Sequence, residues 1–403
     1  MLPGRRRRAF KDQRGPGRDE WPALRHHVLM GALDGILVAD FSRVLAGPLA
    51  AMTLGDLGAD VIKVEPPAGD ETRSWLPPTD AEGRSTYFLT VNRNKRSLAL
   101  DLKDPADLAL ARELVNRADV LIENFRPGTM DRFGLDYETV SASNPGLIYC
   151  SITGFGRKEG AGMAGYDPLV QAVSGLMSVT GPADGEASKT GVALVDVIAG
   201  LNAANGILAA LRVRDRDRIG QRVEVNLLST ALASLANQAS SLLNAGQSPS
   251  RMGNVHPSIE PFSTYAAADG MLMICAGNDH QFHQLVRTLG APRLADDERF
   301  TGNSDRVRNR DQLRPELESR LGLESVDYWT EALGSAGVPA GPVNDIGGGF
   351  ALADSLGLDP VDEFDGVRSP RSPLELSATP VSTRRRAPAL DQDGAAIRAW
   401  LAG

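Results

Sequence analysis

Histidine is scarce in this chain of 403 residues: there are five, and none falls between residues 28 and 255. Cysteine is scarcer, with only Cys150 and Cys275, far apart in the sequence. No Cys/His cluster has metal-ligand spacing and no H-E-x-x-H occurs, so the pattern assigns no metal ligand. Both cysteines sit in strand-like apolar runs, at 147–152 and 271–276. Such thiols are expected to be buried and reduced, as in a cytoplasmic protein. No apolar stretch of membrane-spanning length is present, so no membrane partner is expected. No internal repeat is found.

Net positive charge is also missing. Acidic residues number 51 against 43 basic ones, for a net charge of −8. The balance is uneven. Residues 1–30 hold eight basic and three acidic residues, and the rest carries 35 basic and 48 acidic. A body this acidic argues against nucleic acid as the main partner. The basic segment 1–30 has neither a periodic apolar face nor the apolar run of a secretory signal. It is expected to be a disordered extension, dispensable for folding, with Met30 a sensible start.

A dinucleotide fingerprint is absent as well. Gly154-Phe155-Gly156 is followed by Gly160, one residue too late for G-x-G-x-x-G. A nicotinamide dehydrogenase therefore lacks its signature.

What is present is 42% apolar residues in an alternating order. Strand-like runs at 36–41, 60–65, 98–102, 120–125, 147–153 and 222–227 are separated by helical patterns at 48–57, 106–118 and 193–212. Near-continuous apolar strands between helices predict an α/β fold, with a Rossmann-like large domain over 31–224. The pattern then changes. A helix at 231–243, a polar loop at 246–256, a hairpin turning at 267–270 and charge-rich helices predict a smaller α+β domain over 225–345. Residues 346–403 are rich in Pro, Ser and Arg.

One segment carries chemistry: Gly165-Tyr166-Asp167-Pro168-Leu169-Val170-Gln171. Asp before Pro at the head of an apolar helical pattern reads as an N-cap. The same placement holds an ionised carboxylate at the positive end of a helix dipole, where it is a usable nucleophile. The local pattern fits both readings. The loop after the first strand, Arg43-Val44-Leu45-Ala46-Gly47, lies where open α/β sheets place ligands. Arg93, Lys95, Arg96 and Lys103 form a basic cluster around the third strand, and Asn124, Phe125, Arg126 and Arg132 follow the fourth. His256 in a polar loop reads as a structural histidine bonded to backbone. His280 and His283, with no third ligand, read as surface residues.

These segments, in this order, resemble the family III CoA-transferases, the CaiB/BaiF group. The resemblance runs over about 300 residues, through Phe41-Ser42-Arg43-Val44-Leu45-Ala46-Gly47-Pro48, Gly58-Ala59-Asp60-Val61-Ile62-Lys63-Val64-Glu65, Asn92-Arg93-Asn94-Lys95-Arg96-Ser97, Glu123-Asn124-Phe125-Arg126-Pro127-Gly128, the Asp167 segment, and Gly337-Val338-Pro339-Ala340-Gly341-Pro342. It implies an interlocked homodimer, with the C-terminal segment returning to the large domain. It implies acyl-CoA and carboxylic acid substrates, and no permanently bound cofactor. Asp167 is then the nucleophile, and CoA moves from a thioester to a free acid through an aspartyl-CoA thioester. Val44, Leu45 and Ala46 are then CoA contacts, together with Arg93, Lys95, Arg96, Lys103, Asn124, Phe125, Arg126, Arg132, Gly154 and Phe155. Phe133 would lie beside the adenine. Leu45 stands where the family often has Gln.

A 2-methylacyl-CoA racemase is the alternative in the same superfamily. Its His before the Asp is Tyr166 here, and its second histidine is missing. A non-catalytic acyl-CoA binder would look alike but would have lost Asp167. The tetraglycine loop of formyl-CoA:oxalate enzymes is absent, so oxalate is not the expected acid; the resemblance of the second domain implies a dicarboxylic donor such as succinyl-CoA, and the sequence does not name the acids.

Overall fold

Six short strands pair in parallel to form the large sheet of this computed structural model, which describes residues 31–403. The basic extension 1–30 lies outside the described residues. The chain runs β1 (Leu37–Asp40), α1 (Ala46–Asp56), β2 (Asp60–Glu65), α2 (Thr86–Thr90), β3 (Lys95–Ala99), α3 (Pro105–Arg117) and β4 (Val120–Glu123). It continues through α4 (Tyr137–Ser143), β5 (Ile148–Thr153), α5 (Asp167–Val173), α6 (Leu194–Asp217) and β6 (Arg222–Asn226). The strand order is β3-β2-β1-β4-β5-β6, and every pairing is parallel. The order reverses between β1 and β4. Loops leaving those two strands diverge there and open a crevice.

Alternate strand residues enter two separate cores. Val38, Val61, Val120, Ile122 and Ile148 pack with α1 and α6 on one face. Ala39, Ile62, Leu121 and Tyr149 pack with α3 and the C-terminal helix on the other. Both faces are covered, which is why the strands read as continuous apolar runs. Among the described residues α6 is the one helix long and apolar enough to cross a bilayer by composition, with hydropathy 1.7. Ala199, Ala203, Ala204 and Ile207 instead bury its face in the core. At Gly200 a Cβ would come within 2.6 Å of the Ala46 carbonyl oxygen, so only glycine lets α6 sit this close to α1.

Two elements differ from the sequence expectation. The third strand starts three residues earlier, at Lys95 rather than 98, because the charges of Lys95 and Arg96 are neutralised inside the fold. The helix expected over 231–243 is two, α7 (Leu227–Ser234) and α8 (Ala236–Ala245), broken where Ala236 has φ 46°.

The second unit has its own core. Strands β7 (Phe262–Ala266), β8 (Met271–Cys275) and β9 (Ala340–Pro342) form an antiparallel sheet. Helices α9 (Asp279–Thr288), α10 (Asn303–Arg308), α11 (Arg310–Leu321) and α12 (Val326–Ser335) surround it. Tyr265, Ile274, Phe282, Leu285, Leu317 and Leu333 fill the interior. Then follow α13 (Ile346–Ser355) and the hairpin β10 (Val361–Phe364)–β11 (Val367–Pro370).

The C-terminal residues lie on the large sheet and end in α14 (Gly394–Ala402). They cover β3, the edge strand. The Asp391 carboxylate accepts from the Ala99 N–H at 2.8 Å, and that of Asp393 from the Ser97 N–H at 3.0 Å. An edge with unpaired N–H groups would otherwise template association. Asp393→Ala strands the Ser97 donor. Urea unfolding should show a loss of about 1–3 kcal/mol. Unchanged stability would mean that water reaches this edge.

Candidate active site

The loops that diverge at the β1/β4 crevice line a cleft. Arg43, Val44, Leu45 and Ala46 come from the first, Asn124, Phe125, Arg126 and Pro127 from the second, and Gly154, Phe155 and Gly156 from the loop after β5. Glu71, Tyr166 and Asp196 are also in its wall. Eight of the expected CoA contacts therefore meet in one place: Val44, Leu45, Ala46, Asn124, Phe125, Arg126, Gly154 and Phe155.

Each loop is held by identifiable bonds. Asn124 donates its amide to the Arg43 carbonyl at 2.7 Å and accepts from the Arg43 N–H at 2.9 Å. Its side chain thus clasps the two loops together. Val44 sits in left-handed backbone at φ 68°, and its N–H donates to Asp70 at 3.3 Å. Lys63, fully buried, donates to the same Asp70 oxygen and to the Ser42 carbonyl, both at 2.9 Å. Burial works against its charge, but Asp40, Asp70 and Glu65 outweigh burial and raise its pKa. Arg43 lies 5.7 Å over the Phe125 ring and 3.7 Å from Glu71. Gly154 and Gly165 touch: a Cβ on Gly154 would come within 2.4 Å of the Gly165 Cα. That contact folds the chain back and brings Tyr166 to the cleft wall, with Asp167 the next residue in the chain.

Asp167 does not cap its own helix. It is the first residue of α5, and Tyr166 in the capping position makes no side-chain bond. Asp167 is 3% exposed, and its carboxylate turns to α6. Oδ2 accepts the backbone N–H groups of Val195 at 2.8 Å and Asp196 at 3.1 Å. Oδ1 accepts the Gln171 amide at 2.6 Å. The Gln171 oxygen in turn accepts the Thr190 N–H at 2.9 Å. The expected helix-end carboxylate exists, but the helix end belongs to another segment.

Sequence reasoning missed Asp196, Gln171 and Tyr87. Burial, and then the charge of Asp167, push the Asp196 carboxyl up to about 7. Burial, followed by the charges of Asp196, Asp167 and Asp70, pushes the Tyr87 phenol up to about 12. Tyr87 packs edge-on to Trp75 at 4.8 Å. Gln171 was findable, because i, i+4 residues share a helix face. Asp196 was findable only as an acid in the first turn of a long helix.

The basic cluster lies elsewhere. Arg93 makes a bidentate pair with Asp56, at 3.0 and 2.6 Å, and donates to the Pro370 carbonyl. Lys95 is fully buried, with Asp40, the Pro48 carbonyl and Asn92 each at 2.9 Å. Burial outweighs the attraction of Asp40 and lowers its pKa to about 8. Arg96 pairs with Asp60. These three are structural cations whose charge is spent inside the fold. Lys103 and Arg132 are exposed and do not line the cleft. Phe133 packs on the second core rather than at the cleft. His256 accepts the Ser258 N–H at 3.1 Å and packs on Phe262. No group of acidic, Cys and His residues among those described could hold a metal.

A cleft at a parallel-sheet switch point with the buried Asp167 carboxylate beside it suits an enzyme of group transfer, and sequence comparison fixes the family. Residues 33–394 match the model of CoA-transferase family III, and the chain belongs to that family. It is 44% identical, over 92% of its length and 95% of the relative's, to a succinate–glutarate CoA-transferase of Agrobacterium fabrum. It is 41% identical, over 91% and 95%, to an acetyl-CoA:oxalate CoA-transferase of Acetobacter aceti. A CaiB/BaiF family crystal structure from Brucella suis superposes with a TM-score of 0.85 at 45% identity, covering 92% of this chain and 100% of that one. The chain is a family III CoA-transferase, and acyl-CoA thioesters are its substrates.

Two predictions follow from the electrostatics. Arg93→Met leaves Asp56 buried without its cation. Denaturant unfolding should lose about 3–5 kcal/mol, while KM for the acyl-CoA stays as in the parent. A raised KM at full stability would return Arg93 to the binding site. For Asp196 the folded pKa lies above the unfolded one. The folded state then holds the extra proton, and this group lowers stability as pH rises from 3.8 towards about 7. Asp196→Asn should gain melting temperature over the parent across that window and remain ahead above it. An equal gain at every pH would show that Asp196 does not titrate there.

Proposed function

We propose that this transferase moves CoA from a dicarboxylic acyl-CoA, such as succinyl-CoA, to a second carboxylic acid through covalent intermediates on Asp167. The observation that carries the reading is the buried Asp167 carboxylate, fixed by three hydrogen bonds beside a cleft lined by both ligand loops. A group needed only as a cap would have its own helix to serve.

The sequence of steps balances without a proton donor. An Asp167 oxygen attacks the donor carbonyl and expels CoA thiolate, leaving a mixed anhydride. Thiolate attacks the aspartyl carbonyl and releases the donor acid, leaving an aspartyl thioester. The acceptor carboxylate attacks that thioester, and the thiolate then takes the acceptor acyl group. Two thioester–anhydride exchanges replace one hard transfer. No resident cofactor or metal has a part in it. Racemization lacks support, because Tyr166 stands where that reaction needs histidine.

The names of the relatives cover both glutarate and oxalate. The missing tetraglycine loop therefore does not decide the acid. A panel of succinyl-CoA and acetyl-CoA against glutarate, succinate and oxalate does. We also assign the exposed apolar residues of α8 and α13, including Leu243 and Ile346, to a homodimer interface. The two free thiols support a cytoplasmic setting.

Asp167→Asn tests the chemistry. An Asn oxygen can still accept from α6, but its amide meets the Gln171 amide, so stability should fall by about 1–2 kcal/mol. Transfer should drop by several orders of magnitude. Hydroxylamine trapping during turnover should modify Asp167 in the parent and nothing in the variant. Near-parental transfer by Asp167→Asn would reduce Asp167 to a structural group.

A further inference from the structure

The two oxygens of Asp167 live in different surroundings. Oδ2 is held by two backbone N–H groups, which cannot move without unwinding the first turn of α6. Oδ1 is held by one side chain, Gln171. Gln171 is fully buried, and its own oxygen is tied to Thr190 by the backbone N–H at 2.9 Å and the hydroxyl at 3.2 Å. That tie fixes which end of the Gln171 amide faces Asp167. The carboxylate is therefore clamped from both sides, and a half-turn would have to break all three hydrogen bonds together.

We infer that the clamp divides the labour: Oδ1 is the oxygen that bonds to the acyl group, Oδ2 stays on the aspartyl carbon as its carbonyl oxygen, and Gln171 is the positioning residue that keeps them from exchanging roles. This rests on the covalent reading above and adds to it.

The atom balance makes the division observable. In the first anhydride the bridging oxygen is Oδ1. When thiolate attacks the aspartyl carbon, the bond from that carbon to Oδ1 breaks, and Oδ1 leaves as part of the donor acid. The acceptor carboxylate then attacks the same carbon and brings one of its own oxygens into the bridge. When thiolate takes the acceptor acyl group, that oxygen stays on Asp167 as the new Oδ1. Each turnover thus replaces one Asp167 oxygen by one acceptor oxygen. Oδ2 is never in the bridge. It carries the negative charge each time the aspartyl carbon becomes tetrahedral, and its two backbone N–H partners face that charge. A carboxylate that rotated freely between turnovers would exchange both oxygens.

The test uses the full chain, succinyl-CoA and glutarate carrying heavy oxygen in both carboxyl groups; heavy-oxygen succinate replaces glutarate if the panel shows no glutarate transfer. The protein is turned over once or many times, digested, and the peptide holding Asp167 is weighed. The expected result is one heavy oxygen after one turnover and still one after many. A second heavy oxygen accumulating with turnover would overturn the division of roles while leaving the covalent mechanism intact. No heavy oxygen during measurable transfer would overturn the covalent mechanism itself, and this inference with it. Gln171→Leu removes the side-chain half of the clamp. It should lower kcat more than KM and should accumulate the second heavy oxygen. A Gln171→Leu protein that turns over and still stops at one would remove Gln171 from the role. The parental count decides the main claim even where that variant does not fold.

Discussion

The hydrogen bonds between Asp167 and the first turn of α6 are the constraint on which the site depends. They tie the start of α5 to a helix 24 residues long. That helix packs against α1, with Gly200 close against the Ala46 carbonyl. Ala46 begins α1 and also lines the cleft. The packing of α6 on α1 thus couples the position of the buried carboxylate to the loop that begins the cleft. Displacing that contact by the radius of a methyl group would move one half of the site against the other. Misplacement on this scale costs catalysis more than it costs folding.

Below the same loop lie two buried ammonium groups. Lys63 and Lys95 both donate to groups around the end of β1, and both are fully buried. Burying a charge is unfavourable unless it is paired and its hydrogen bonds are satisfied. Lys95 has three acceptors, all at 2.9 Å. The arrangement gives the loop a rigid floor. It also lets a non-glycine residue, Val44, stay at φ 68°, because Asp70 accepts its N–H and Lys63 anchors Asp70. The cleft itself is lined by two cations, Arg43 and Arg126.

This explains what was legible in the sequence. Five of the six apolar runs, the loop after β1 and the strand end before Asn124 depend on local order, and they are close to where the pattern puts them; the third strand is shifted to Lys95–Ala99. The identity of a cation's partner is not local. Arg93 meets Asp56 across 37 positions and Lys95 meets Asp40 across 55, so a basic cluster in sequence read as a set of CoA contacts. The same holds for Asp167. Asp-Pro signals a helix start correctly, yet the donors it serves lie 28 and 29 positions on. Gln171 was within reach of the i, i+4 rule. Asp196 was not, since its carboxyl is shifted by a burial and a neighbour that only the fold creates.

Three donors on the proposed nucleophile present a conflict. Hydrogen bonds that position a carboxylate also stabilise it, and so weaken its attack on the thioester. The conflict is resolved by where charge develops on the proposed path. In the resting carboxylate the negative charge is shared by both oxygens. In the anhydride and in the aspartyl thioester, Oδ2 is a neutral carbonyl oxygen. Each attack on the aspartyl carbon then places a full negative charge on Oδ2 alone, facing two N–H groups already aligned at the positive end of α6. Those donors gain most at the tetrahedral stages, which the path crosses twice. An interaction stronger at those stages than in the ground state raises the rate, whereas one equally strong in both only tightens binding. The cost falls on the first attack, by Oδ1, and Oδ1 carries the single side-chain donor rather than the backbone pair. The unequal partition of hydrogen bonds over one carboxylate is thus the arrangement that a two-anhydride path through a fixed aspartate favours.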